Sequence, residues 1–209
     1  MANLVTQKAP NFTASAVMAD NTINENFNLM DYLNGDMGVL FFYPLDFTFV
    51  CPSEILAFQN RISEFQKRNT KVVSVSVDSA FSHIAWKNTA VNNGGLGQVQ
   101  FPMVADITKQ ISKDYNVLIN DAVALRGTFL IDQNGIIQHQ LINNLPLGRN
   151  VDETLRMVDA LAFHQKHGEV CPAGWNSGKQ GMVANSQGVS LLFKRSCGIF
   201  ISQFFNNFC

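Results

Sequence analysis

The sequence is poor in charge. Asp, Glu, Lys and Arg make up 15% of its 209 residues, against roughly 25% in an average globular chain. Its 15 basic and 16 acidic residues leave a formal net charge of −1. No block of like charge occurs, so the electrostatic footprint of a nucleic-acid binder is missing and no such partner is expected. No run approaches the roughly 18 apolar residues that span a bilayer, and Met1 to Lys8 lacks the roughly 7 to 15 apolar residues of a signal-peptide core. A soluble, cytoplasmic protein with no membrane partner is the expectation. No second cysteine follows Cys51 at the C-x-x-C spacing, where the chain reads Cys51-Pro52-Ser53-Glu54, so exchange between adjacent thiols is set aside as the main chemistry. No flavin, haem or metal signature occurs. The nearest metal candidate, His164 with His167 close to Cys171, shares a helix face but offers too few ligands for a structural zinc.

Aromatic side chains are plentiful, with 17 phenylalanines, and this much apolar surface favours burial between subunits. Four cysteines are present; in a chain of this size without a secretion signal, redox or metal use is a better reading than structural disulfides. Two of them sit in identical strings, Val50-Cys51-Pro52 and Val170-Cys171-Pro172. Cys51 follows the apolar run Val39 to Tyr43 and precedes a helical pattern, which places it at a strand-to-helix junction. The first N–H groups of a helix lack intrahelical partners, and with the positive dipole end they stabilise a thiolate. A buried, inert thiol is the competing reading, and Cys51 alone leaves both open.

Val39 to Tyr43 reads as a buried strand, Ser53 to Asn69 as a helix with Ile55, Phe58, Ile62 and Phe65 on one stripe, and Lys71 to Val77 as a second strand. Together they form a βαβ unit. Ser79 to Val91 reads as a helix ending in the glycine-rich loop before Gly97, followed by a short strand at Met103 to Ala105 and a helix near Thr108 to Tyr115. Gly127 to Ile131 and Ile136 to Ile142 flank Asn134-Gly135, a strong hairpin signal. Asn150 with Glu153 predicts a capped helix to about Lys166, carrying Leu155, Val158 and Leu161 inward. From Ala173 to Gln187, Gly, Ser and Asn prevail and predict a weakly packed arm. The order of elements predicts an α/β chain of thioredoxin-like fold, with a central mixed β-sheet flanked by helices over residues 1–167. A C-terminal arm over residues 168–209 carries Cys171.

The loop before Cys51 spells P-x-x-x-T-x-x-C as Pro44, Thr48 and Cys51, with Glu54 following. Further blocks are Trp86, Phe101 to Asp106, Arg126 in Leu125-Arg126-Gly127-Thr128, Arg149 in Leu147-Gly148-Arg149, and Glu169 to Trp175. In these blocks, from about Ala9 to Trp175, the chain resembles the typical 2-Cys peroxiredoxins, particularly the alkyl hydroperoxide reductase C branch. The resemblance implies a peroxidase for hydrogen peroxide and organic hydroperoxides that needs no cofactor and no metal. Cys51 would be the peroxidatic cysteine, attacking a peroxide oxygen to leave a sulfenic acid. Arg126 would hold thiolate and peroxide, Thr48 would direct its hydroxyl toward them, and Pro44 would shield the intermediate. Glu54 and Arg149 would support this group. Trp86 also matches, although its own reading is core packing.

Cys171 matches the resolving cysteine, which implies an intersubunit disulfide, an obligate head-to-tail homodimer, and unwinding of the helix turn that Cys51 opens. Family members assemble as rings of five dimers, to which Phe47 and Phe81 would contribute here. Thioredoxin or a flavoprotein disulfide reductase would supply electrons. Gly94-Gly95-Leu96-Gly97 matches peroxiredoxins that over-oxidise readily, but Leu192-Phe193 replaces their tyrosine-containing pair, so intermediate sensitivity is expected. Arg195 to Cys209 resembles nothing we can place, and Cys197 and Cys209 are expected to be non-catalytic. A thiol-disulfide oxidoreductase, a metal-binding module and a holdase-type chaperone assembly stand as alternatives.

Overall fold

Unbroken runs of buried residues pick out the centre of the sheet. β3 (Met37–Phe42) and β8 (Arg126–Ile131) are buried at every position, as strands covered on both faces should be. The computed structural model describes residues 3–194, so Cys197 and Cys209 lie outside the described residues. The chain falls into two compact units, Met1–Leu155 and Arg156–Cys209.

In the first unit, β3 pairs in parallel with β4 (Thr70–Ser76), which carries β5 (Met103–Ala105), also in parallel. On its other side β3 runs antiparallel to β8, and β8 to β9 (Ile137–Asn143). β1 (Thr13–Val17) and β2 (Ile23–Asn28) extend the sheet beyond β5, giving the order β2-β1-β5-β4-β3-β8-β9. The mixed sheet and the β8–β9 hairpin agree with the sequence reading. At the hairpin tip Gly135 takes φ 76°, and the Asp132 carboxylate accepts 2.9 Å bonds from the Asn134 and Ile136 amides. β1, β2 and the short α1 (Leu29–Leu33) gave no clear periodic signal; β2 buries little beyond Phe27.

Successive β3 side chains leave opposite faces of the sheet. Phe41 stacks on Phe58 of α2 (Cys51–Asn60), with ring centres 4.2 Å apart. Phe42 faces the other way, edge-on to Phe129 at 5.8 Å and 5.2 Å from Tyr115. Such pairs contribute about 0.5–1.5 kcal/mol beyond the area they bury, and the Phe41–Phe58 stack anchors the helix that Cys51 begins.

The helix expected over residues 53–69 is divided. α2 ends at Asn60, Arg61 leaves helical geometry at φ −109°, ψ 6°, and α3 (Ile62–Gln66) follows. The Arg61 amide bonds to the Phe58 carbonyl, a tightened turn that shortens the repeat. The apolar stripe survives, since Ile55, Phe58, Ile62 and Phe65 are all buried. α4 (Ala80–Asn88) is shorter than expected because Thr89 turns extended, leaving Val91–Asn93 as a separate 3-10 turn. α5 (Gln110–Asp114) precedes a two-stranded ribbon, β6 (Leu118–Ile119) with β7 (Val123–Ala124).

α6 (Val151–His167) begins where Asn150 predicts, the Asn150 side chain accepting from the Asp152 amide at 2.9 Å. Leu155 and Val158 are buried, while Leu161 is half-buried. The following segment is held on α6 more closely than its composition predicts. Trp175 is buried with its ring 4.9 Å from Phe163, and Val170 bridges to Met182. Residues 186–194 are helical.

Candidate active site

Cys51 is the first residue of α2 and is fully buried. No side chain caps this helix, and Pro52 in its first turn lacks an N–H. The positive dipole end therefore coincides with the sulfur-bearing residue.

The loop that delivers Cys51 is fastened from behind by a buried polar cluster. Asp46 accepts a 2.8 Å bond from the Tyr43 hydroxyl and another from the Ser82 hydroxyl, and His83 Nδ1 lies 2.8 Å from the same carboxylate. The Asp46 amide donates to Asp78. Burial, followed by the Asp46 charge, pushes the Tyr43 phenol well above its ordinary value, so it stays a hydroxyl donor. Phe47 adopts φ 52°, a conformation that costs a bulky residue about 1–3 kcal/mol and persists only when its surroundings impose it.

Arg126, at the start of β8, reaches the sulfur. Its Nη1 lies 3.4 Å from Cys51 Sγ and donates 2.6 Å to Glu54, while Nε donates 2.6 Å to the Leu145 carbonyl. Arg149 donates from its amide and Nε to Glu54 Oε1 and from Nη2 to the Oε2 that Arg126 also holds, at 2.8 to 2.9 Å. Its Nη1 donates to the Phe42 and Gly127 carbonyls at 2.8 Å, and its guanidinium lies 5.1 Å over the Phe41 ring. All three charged side chains are almost wholly buried. Burial pushes the Glu54 carboxyl up, but the Arg149 hydrogen bonds and the charges of Arg149 and Arg126 outweigh it and hold Glu54 below its ordinary range. Two guanidiniums share one carboxylate. One positive charge is left over, and it lies beside the Cys51 sulfur.

The structure thus brings Cys51, Glu54, Arg126 and Arg149 together. Pro44 is buried in the loop leading to them, and Thr48, three residues before Cys51, donates its hydroxyl to the Leu45 carbonyl at 2.9 Å. Trp86 is a core residue. It is fully buried, 5.6 Å from the Phe47 ring, and its indole N–H donates 2.8 Å to the Gly94 carbonyl. Cys171 belongs to the second unit, half-buried, with its Sγ 3.5 Å from the Ala160 carbonyl. Burial raises its thiol above the ordinary value and the Arg156 charge partly offsets that. Sequence reasoning missed the Tyr43, Asp46, Ser82 and His83 cluster. Its signal was Tyr43 and Asp46 beside the motif, and His83 on the buried face of α4 next to Ser82. Among the described residues no group of three or more His, Cys, Asp or Glu is placed to hold a metal ion, and no helix is long and apolar enough to cross a membrane.

Residues 5–140 match the model of the AhpC/TSA family, and residues 160–190, which include Cys171, match that of the C-terminal domain of 1-Cys peroxiredoxin. An alkyl hydroperoxide reductase C of Helicobacter pylori is 56% identical over 193 residues, covering 92% of this chain and 98% of the relative. The chloroplastic 2-Cys peroxiredoxin BAS1 of Hordeum vulgare is 54% identical over 186 residues, 88% of each chain. Among solved structures, the reduced 2-Cys peroxiredoxin of Plasmodium vivax superposes with a TM-score of 0.89 at 48% identity, covering 92% of this chain and all of that one. These relatives do not favour the thiol-disulfide oxidoreductase or holdase alternatives. With a thioredoxin-like sheet, a cysteine opening α2 under a buried arginine pair, and matches over nearly its whole length, the chain belongs to the AhpC/TSA family of peroxiredoxins.

Proposed function

We propose that this thiol-dependent peroxidase works through Cys51 as the peroxidatic cysteine and Cys171 as the resolving one. The Cys51 thiolate attacks one peroxide oxygen, the O–O bond breaks, and the departing oxygen takes a proton to leave as water or alcohol while Cys51 becomes a sulfenic acid. One observation carries this assignment. Arg126 Nη1 is shared between Cys51 Sγ and Glu54, a fixed cationic donor where negative charge moves from sulfur to oxygen. Arg149 and Glu54 hold that donor in place. Thr48 and Pro44, in the loop before Cys51, orient the peroxide and exclude water, with Thr48 exchanging its Leu45 bond for the substrate.

Cys171 of a second copy then condenses with the sulfenic acid, which requires the first turn of α2 to unwind because Cys51 is buried. The functional unit on this reading is a homodimer built from a peroxidase domain, residues 1–167, and an arm, residues 168–209. Five such dimers form the ring. Thioredoxin or a flavoprotein reductase returns the disulfide to thiols, and the cytoplasm is the place of action.

Intact-mass and non-reducing gel analysis after one equivalent of peroxide tests the assignment. A covalent dimer linked from Cys51 to Cys171 is expected, absent in both Cys51→Ser and Cys171→Ser, with sulfenic acid accumulating in the latter alone. A link through Cys197 or Cys209 would sink it.

A further inference from the structure

Arg156 lies outside the motif around Cys51, yet it stands beside the second thiol. It precedes Ala160 by four residues on α6, so the two share a helix face. Cys171 Sγ approaches the Ala160 carbonyl at 3.5 Å, and Arg156 Nη1 donates 3.0 Å to the Trp175 carbonyl. Trp175 is buried against Phe163, one turn beyond Ala160, and its indole N–H is bonded to the Lys179 carbonyl at 3.0 Å. The stretch from Cys171 to Trp175 is therefore tied to one face of α6 at both ends, with the guanidinium at the tie.

We propose that Arg156 is a positioning residue for disulfide formation: it holds the Cys171 segment on α6 through the Trp175 carbonyl, and its fixed charge favours the attacking thiolate. This rests on the assignment of Cys171 made above. The step itself balances without an outside oxidant. Cys171 releases its proton to solvent, its sulfur attacks the Cys51 sulfur, the S–S bond forms, and the S–O bond breaks to release hydroxide that leaves as water.

Several charged groups occupy these two elements: Asp159, His164, Lys166 and His167 on α6, and Glu169 and Lys179 on the arm. His164 Nδ1 lies 2.9 Å from the Glu169 carbonyl and Lys179 Nζ is turned to the Gly174 carbonyl. Among the described residues, the Arg156 charge favours the Cys171 thiolate, against the larger effect of burial. Such a charge does two opposing things. It raises the thiolate fraction, but a stabilised thiolate is a poorer nucleophile, with a Brønsted slope of about 0.4–0.5. The first effect vanishes once the thiol is fully ionised; the second does not.

The test mixes the full-length protein rapidly with one equivalent of hydrogen peroxide at pH values below and above the Cys171 titration. Oxidation of Cys51 and formation of the disulfide are read separately in wild type, Arg156→Gln, Arg156→Lys and Cys171→Ser. Gln keeps donors for the Trp175 carbonyl and removes the charge. Its disulfide step should be a few-fold slower on the acid side and a few-fold faster on the alkaline side, so the two profiles cross. Arg156→Lys should restore the wild-type profile. A uniform change at every pH, or none, would overturn the proposal for Arg156. A disulfide that still forms in Cys171→Ser would instead overturn the assignment of Cys171. Should Arg156→Gln not fold, alkylation of Cys171 by iodoacetamide in a Cys51→Ser background gives the same information. Its pH midpoint should rise with salt as the Arg156 charge is screened, and a fixed midpoint counts against the proposal.

Discussion

A guanidinium holds its donors in a fixed plane where an ammonium does not, and at Arg126 that difference is measurable. Its side chain serves the Leu145 carbonyl, Glu54 and the Cys51 sulfur at once, a division of labour that a single ammonium cannot reproduce. Arg126→Lys should lower kcat/KM for peroxide by about 10²-fold, the loss seen when one preorganised donor is removed; stopped-flow oxidation of Cys51 checks it. Glu54 makes a different prediction because its burden is stability. Held below its ordinary value of 4.5, it contributes stability that is present above that value and lost as pH falls through its lower folded value. Glu54→Gln should cost about 3–5 kcal/mol at neutral pH, since two buried guanidiniums lose their counter-charge. The gap should narrow in acid, where the wild type loses its Glu54 contribution. Denaturant unfolding of both proteins from neutral pH down to below 4 reads the two slopes.

The elements were readable from the sequence where burial leaves a periodic trace. β3, β4, β5, the β8–β9 hairpin and α6 all stand within a residue or two of their expected positions, because continuous apolar runs, an Asn-Gly turn and an Asn cap are local signals. The division of α2 from α3 left no such trace, since the apolar stripe continues across Arg61 and only the backbone angles change. β1 and β2 were silent for a related reason: an edge ribbon buries few side chains. The candidate catalytic group was readable as a motif, but the cluster behind it was not, because Asp46 and His83 are 37 residues apart and meet only when α4 packs beside the loop. The glycine-rich loop makes a prediction at this scale. Gly94 accepts the Trp86 indole bond, and a Cβ on Gly95 would collide with the Thr89 carbonyl oxygen. Backbone cannot yield as a flexible side chain can. Gly95→Ala should destabilise the protein by about 1–3 kcal/mol and shift the Trp86 emission, both read in one thermal melt.

At the scale of the whole molecule, the low charge of the chain has a counterpart on its surface. Phe47, Phe49 and Phe81 are 54%, 97% and 73% exposed, close in sequence to Cys51 or to the α4 residues that clamp its loop. Large exposed aromatics mark surfaces that bind protein, and the proposed assembly places Phe47 and Phe81 between dimers. Phe81→Asp should reduce the sedimenting species of the reduced protein to a dimer. If wild type and variant sediment alike as dimers, in both redox states, the ring is removed from the proposal.

The leftover positive charge beside Cys51 has a further consequence. An anionic sulfur would balance it, whereas a sulfenic acid is neutral. If Cys51 reduces peroxide as proposed, Arg126 and the head of α2 then face a sulfur that no longer neutralises them, and the folded pocket would be weakest when it has to open. On the proposed mechanism, the chemical product of the first step would thus favour the opening that the second requires.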